Sequence, residues 1–235
     1  MTQSLYILPR QTASAAENMA MDWLLLEKFP KPESVRLRFY GWAKPAWTFG
    51  YSQKWTEADQ ASGGKAELIR RPTGGGLVDH RQDWTYALVF PAGHPLAQAR
   101  ACVSYQAIHE ALADALNKNG TSCQLQALGC DSPDKNFSVC FQEPEPKDVV
   151  RIDDGRKIAG AAQKRTRAGL LLQGSIDRPA CPEVRDWDEF GAAFAQVLGQ
   201  ELNFTPLLYK DAPWLEGALI EASTRFASAD WNQKR

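Results

Sequence analysis

What this chain lacks narrows its chemistry before any motif is read. No apolar stretch approaches the length of about 20 residues that spans a bilayer, and Met1 to Ala13 holds no apolar core of the kind that marks a secretory leader. Neither sign of charge dominates: 27 Lys and Arg stand against 28 Asp and Glu, leaving a net charge of −1. Bulk electrostatics therefore give no case for nucleic acid or an anionic membrane as partner. The five cysteines (Cys102, Cys123, Cys130, Cys140 and Cys181) are odd in number and contain no CxxC pair. That argues against a disulfide framework or a zinc site, and for reduced thiols in a cytoplasm. Internal repeats and low-complexity tracts are absent as well.

What remains is a chain of 235 residues, 44% hydrophobic and 23% charged, as expected of a soluble globular protein with a sizeable core. Apolar residues at helical spacing predict helices over Ala15 to Lys28, about 100 to 118, Asp188 to Leu198 and Ala212 to Ala227. Between them, short strands are expected at 35–40, 46–51, 66–70, 84–90, 122–127, 147–152, 156–164 and 169–176. Helices mixed with hairpins, without regular βαβ alternation, predict an α+β fold. Residues 129–146, with three prolines, read as a long loop.

The most informative stretch is Arg70-Arg71-Pro72-Thr73-Gly74-Gly75-Gly76, followed by His80. Amides of glycine can approach a ligand closely, so a basic glycine-rich loop suits a carboxylate, a phosphate or a thioester carbonyl. No Gly-Lys-Ser/Thr follows, and the GxGxxG spacing is missing, so neither a P-loop nor a dinucleotide fingerprint is present. Strand alternation allows only one of Arg70 and Arg71 to face a site, and Arg70 is the expected one. A hairpin follows, with Asp148 to Ile152 going up, Asp153-Asp154-Gly155 turning, and Lys157 onward returning. Simple alternation would put Lys157, Ala159, Ala161 and Gln163 on one face, a slender groove beside an ammonium group. Trp84, in the strand after the glycines, is expected to pack under them. His109 on the amphipathic helix reads as structural and His94 as a loop residue.

The ordered set RRPTGGG…H, GRKIAGAAQKR and LLLQGSI resembles the lipoate–protein ligase and octanoyltransferase superfamily. Supporting pieces at Asn18 to Asp22, Val35 to Trp42, Thr48 to Tyr51 and Arg225 to Asn232 extend the likeness to roughly residues 15 to 232. The resemblance implies a single catalytic domain over 1–235 without a separate C-terminal accessory domain. Its sheet would be mixed, largely antiparallel and flanked by helices. It also implies substrate-binding roles for Arg70, Thr73, Gly74, Gly75, Gly76, His80, Ala159, Gly160, Gly174 and Ser175, with Lys157 catalytic. In that family a histidine is common where Gln173 stands.

Ser138-Val139-Cys140-Phe141-Gln142-Glu143-Pro144 resembles the cysteine-dependent octanoyltransferase branch, which makes Cys140 the expected nucleophile. The other cysteines are read as small buried hydrophobes. Three functions stay open. A transferase would take an octanoyl thioester from acyl carrier protein through Cys140, with no cofactor and no metal. It would deliver the acyl group to a lysine of a lipoyl domain or a glycine cleavage H-type carrier protein, with Lys157 or His80 as base. A ligase would activate lipoate with ATP and Mg²⁺ as lipoyl-AMP and leave Cys140 incidental. A non-catalytic carrier-binding protein is the third.

Overall fold

Residues 83–91 form an almost unbroken apolar run, and such a strand needs cover on both faces. In the computed structural model, which describes residues 3–64, 66–127, 147–210 and 217–234, that run is a central strand. The chain opens with β1 (Gln3–Ile7), β2 (Gln11–Ala13), α1 (Ala15–Glu27), β3 (Val35–Trp42), β4 (Ala46–Phe49) and α2 (Trp55–Ser62). Then come β5 (Glu67–Arg70), β6 (Val78–Asp79), β7 (Asp83–Pro91), α3 (Pro95–Gln98), α4 (Ala101–Lys118) and β8 (Cys123–Leu125). The described chain closes with β9 (Val149–Arg151), β10 (Lys157–Thr166), β11 (Gly169–Asp177), α5 (Trp187–Glu201), β12 (Phe204–Leu208), α6 (Ala218–Ala227) and α7 (Ala229–Asn232).

Nine strands make one sheet in the order β12-β1-β3-β7-β11-β10-β9-β8, with β2 beside β3. The pairings from β3 through β7, β11, β10 and β9 to β8 are antiparallel, while β1 runs parallel to both β12 and β3. Side chains of β7 alternate between two cores. Tyr86, Leu88 and Phe90 meet Ile108 and Leu112 of α4 and Phe190 and Phe194 of α5. Ala87 and Val89 meet Leu25 and Leu26 of α1. Each such buried leucine or phenylalanine contributes about 1.5–3 kcal/mol. The α+β expectation and the mixed, largely antiparallel sheet are both found.

A second sheet of three strands, β5-β4-β6, lies apart from the first. Helix α1 joins the two. Its C-terminal Leu25 and Leu26 pack on the large sheet, and its N-terminal Ala15 and Met19 pack with Ala46 and Ile69 of the small one. Ser14 starts that helix with a capping box: its hydroxyl accepts from the Glu17 amide, and the Glu17 carboxylate accepts from the Ser14 amide at 2.9 Å. At the far end of the chain, α6 and α7 add Phe226 and Trp231 to the same cluster.

Of the elements named above, seven (β1, β2, α2, β6, α3, β12 and α7) were not expected from the sequence. β12 contains Pro206, which a strand tolerates here because β12 lies at the sheet edge. Helix α2 buries only Ala58 and so carries little apolar periodicity. β1 is a short N-terminal strand with a single fully covered residue, Leu5. The helix expected from Ala212 is seen from Ala218, and the expected loop at 129–146 lies outside the described residues.

Candidate functional site

Between the two sheets lies a narrow cavity of about 30 Å³. The small sheet and its loop contribute Thr48, Arg71, Gly75, Val78 and His80. The large sheet supplies Tyr40, Trp42, Thr85, the Gly160–Ala162 stretch of β10 and the Gln173–Ser175 stretch of β11.

The glycine turn is held from behind by a guanidinium. Arg71 Nη2 donates to the carbonyls of Gly74 (2.8 Å) and Gly76 (2.7 Å), and Nη1 donates to the Thr48 carbonyl (2.9 Å) and hydroxyl (2.6 Å). Gly75 takes φ +84°, a value that favours glycine. Gly50 is equally constrained: a Cβ there would sit 2.0 Å from the Gly75 carbonyl oxygen. Among the described residues, no hydrogen bond takes up the amides of Gly74, Gly75 or Gly76. The turn is thus anchored through its carbonyls while its N–H groups remain available to an anion or an oxyanion.

The expectation that Arg70 faces the site is corrected; Arg71 does. Arg70 points the other way and is fully buried. Its Nη1 donates to the Tyr51 (2.7 Å) and Gln53 (2.6 Å) carbonyls, and its Nη2 to the Asn232 carbonyl (2.9 Å). Alternation was rightly applied but gave no means of choosing which arginine met the open side.

Lys157 lies beside the cavity. Its Nζ is 2.7 Å from Asp148 Oδ2, both side chains being nearly inaccessible and the pair standing just behind Gly160. A Cβ on Gly160 would lie 3.0 Å from the lysine Cε and 3.1 Å from Asp148 Oδ1, so the missing side chain makes room for this pair. The β10–β9 register shifts between Lys157 and Ala159. That bulge reverses the side-chain phase and overturns the expected shared face. Ala159 packs in the large core rather than in the cavity, and Gln163 bonds Ser104 of α4. Ala162, not Ala159, meets the turn, its Cβ lying 3.3 Å from where a Gly75 Cβ would be. Gly160 does line the cavity.

His80 packs on Trp42 with ring centroids 4.1 Å apart. Its Nδ1 is 2.7 Å from Asp83 Oδ2 and its Nε2 is 2.7 Å from Thr48 Oγ1. Ser175 and Thr85 also donate to Asp83 Oδ2. Thr73 donates to Gln173 Oε1 (2.7 Å), and Gln173 Nε2 donates to Asp22 Oδ2 (2.7 Å), which also accepts from Tyr40. Asp22 Oδ1 pairs with Arg38 at 3.0 Å. Burial pushes the Asp22 carboxyl up, against the opposing pull of Arg38 and its hydrogen bonds. Gln173, where the resemblance suggested histidine, is therefore a bridge that ties the turn to α1.

Gly174 faces Tyr86 across the β7–β11 pairing, and a Cβ there would lie 2.2 Å from the tyrosine Cζ. It lines the cavity by its backbone. Trp84, expected beneath the glycines, faces the opposite side and packs on Phe39, Trp187 and Phe190. Trp42 lines the cavity instead. His109 is buried against Tyr105, with Nδ1 2.6 Å from the Lys147 carbonyl oxygen. His94 does more than occupy a loop, since its ring caps α3 by accepting from the Leu96 amide.

Cys140 and Cys130 lie outside the described residues. Cys123 and Cys181 are buried, and burial pushes each thiol up to about 12, which makes them inert. Among the described residues, no group of three or more His, Cys, Asp or Glu side chains could hold a metal ion. No helix among them is long and apolar enough to cross a membrane. Residues that the sequence reading passed over are Thr48, Asp83 and Asp148. A carboxylate three positions after the glycine-loop histidine was the available signal for Asp83.

Several known proteins are similar to this chain in sequence or in fold. An octanoyltransferase LipM from Macrococcus caseolyticus is 32% identical over 168 residues, covering 68% of this chain and 60% of that protein. The chain spans about 60% of the length of such relatives. A lipoate-protein ligase A solved with ATP superposes with a TM-score of 0.78 at 19% identity, covering 99% of both chains. A bipartite lipoate protein ligase solved in a study with its E2 lipoyl domain, from Thermoplasma acidophilum, gives a TM-score of 0.73 at 17% identity, covering 99% of this chain and 97% of that one. Residues 14–178 match the lipoyl protein ligase A/B catalytic domain, and the chain belongs to that family.

Proposed function

We propose that this protein transfers an octanoyl or lipoyl group to a lysine of a carrier domain in protein lipoylation. One observation carries the reading: the cavity between the two sheets is lined by Gly75, whose amide no described residue takes up, and by Gly160, which stands against the Lys157–Asp148 pair. Such a site receives an acyl chain between apolar walls and meets its carbonyl oxygen with N–H donors and a cation. In the proposed route, the Cys140 thiolate attacks the thioester carbonyl of octanoyl-acyl carrier protein. The amides and the Lys157 ammonium stabilise the oxyanion, and phosphopantetheine leaves as its thiolate. The acceptor amine then attacks the Cys140 thioester, forms the amide, and releases the thiol. Support for the cysteine route comes from the Cys140 motif and from relatives called octanoyltransferases. A reducing cytoplasm is the proposed compartment, and neither cofactor nor metal is required.

The acceptor is proposed to be a lipoyl domain or a glycine cleavage H-type carrier protein. The Thermoplasma ligase, studied with its E2 lipoyl domain, supports this class of partner. A second reading is ATP-dependent lipoate ligation. It is favoured by the likeness to an ATP-bound lipoate-protein ligase A and by a cradle equally suited to the phosphate of lipoyl-AMP, with Mg²⁺ on the ATP phosphates. One assay separates the two: the protein is incubated with a lipoyl domain and either octanoyl-acyl carrier protein, or lipoate, ATP and Mg²⁺. Modification from the carrier thioester alone, lost in Cys140→Ala, supports the transferase. Modification only with ATP, unaffected by Cys140→Ala, supports the ligase. No modification in either arm leaves a binding protein.

A further inference from the structure

We infer that His80 is a positioning residue rather than a proton carrier: held between Asp83 and Thr48, it fixes Arg71 and, through Arg71, the glycine turn. The geometry stands by itself, and its catalytic consequence rests on the acyl-transfer reading above.

Asp83 Oδ2 accepts from Thr85, Ser175 and the His80 Nδ1 side, so it is the acceptor-only oxygen of a carboxylate. The Nδ1 atom of His80 therefore carries its proton and donates. At the other nitrogen, His80 Nε2 lies 2.7 Å from Thr48 Oγ1, and Arg71 Nη1 donates to that same oxygen at 2.6 Å.

The ring is also fixed in its plane. Trp42 stacks on it, and Trp42 Nε1 donates to Thr85 Oγ1 at 2.9 Å, which returns the chain of bonds to Asp83. The charged and titratable groups around the ring are Asp83, Arg71, Tyr40 and the exposed Arg81–Asp79 pair. With both nitrogens committed, the ring has no lone pair for an incoming amine. Thr48, oriented by it, shares Arg71 with the Gly74 and Gly76 carbonyls.

The test is ¹⁵N NMR of the whole protein, with the Gly74 to Gly76 amide resonances followed. The glycine amide resonances should move together in His80→Ala and Thr48→Val, and return towards wild type in His80→Gln, whose amide oxygen can accept from Thr48. In the transfer assay, His80→Ala and Thr48→Val should each lower kcat/KM about tenfold, the worth of one buried hydrogen bond. The double variant should be no worse than either, and the pH profile should keep its shape. Loss of one limb of the pH profile in His80→Ala, or glycine resonances indifferent to both substitutions, overturns the inference. Absence of acyl transfer in the wild type would instead count against the proposed function, because the NMR result does not depend on turnover.

Discussion

Removing one member of a buried ion pair strands the other, and at Lys157 and Asp148 this separates a structural role from a chemical one. Lys157→Met should destabilise the fold by about 3 kcal/mol, because the buried Asp148 carboxylate then lacks the ammonium opposite it. It should also lower transfer at least 100-fold through loss of the cation at the carbonyl. Adding Asp148→Asn should restore most of the stability in urea titrations and none of the transfer. A second residue-scale expectation concerns acid. Burial holds the His109 imidazole below its ordinary value. Below about pH 6.5 the unfolded chain then takes up a proton that the folded chain refuses. Stability should accordingly fall as pH drops from about 6.5 towards the depressed folded value. His109→Phe should flatten that part of the curve in denaturation measured across pH.

At the scale of elements, the glycine turn depends more on its neighbour than on its own first residue. A Cβ on Gly50 meets the Gly75 carbonyl oxygen at 2.0 Å, whereas one on Gly74 meets nothing within 4 Å. Gly50→Ala should therefore displace the turn, costing about 1–3 kcal/mol and much of the activity, while Gly74→Ala should be tolerated in the same thermal-melt and transfer assays. The contrast also marks what was legible in the sequence. Glycines, a hairpin and a buried central strand follow local rules, so β7, β9–β10 and α4 stand where periodicity placed them. The bulge after Lys157 does not follow such a rule. It is set by pairing with β9, and it moved Ala159 into the core. Choosing Arg71 over Arg70 likewise needed the position of α7, some 160 residues downstream.

For the whole molecule, the cavity exists because two sheets are held at a fixed separation. Helix α1 links them on one side, through Asp22, Arg38, Gln173 and Thr73. Arg70 links the small sheet to the end of the chain by donating to carbonyls of Trp231 and Asn232. Arg70→Ala would leave those carbonyls unpaired, and hydrogen exchange over residues 218–234 should accelerate before exchange in β7 or β11 changes. Gln173 is a bridge of the same kind, unrecognisable from sequence because its partners lie about 100 and 150 positions away.

The central claim is that the acyl chain sits between the glycine turn and β10. A thioester of an octanoyl chain bearing a terminal diazirine, irradiated on the protein and mapped by peptide mass spectrometry, tests it most directly. Labelling confined to peptides lining the cavity, around residues 160–162 and 173–175, and suppressed by unlabelled octanoyl thioester, is the predicted result. Competable labelling elsewhere on a protein that still transfers the acyl group would contradict it.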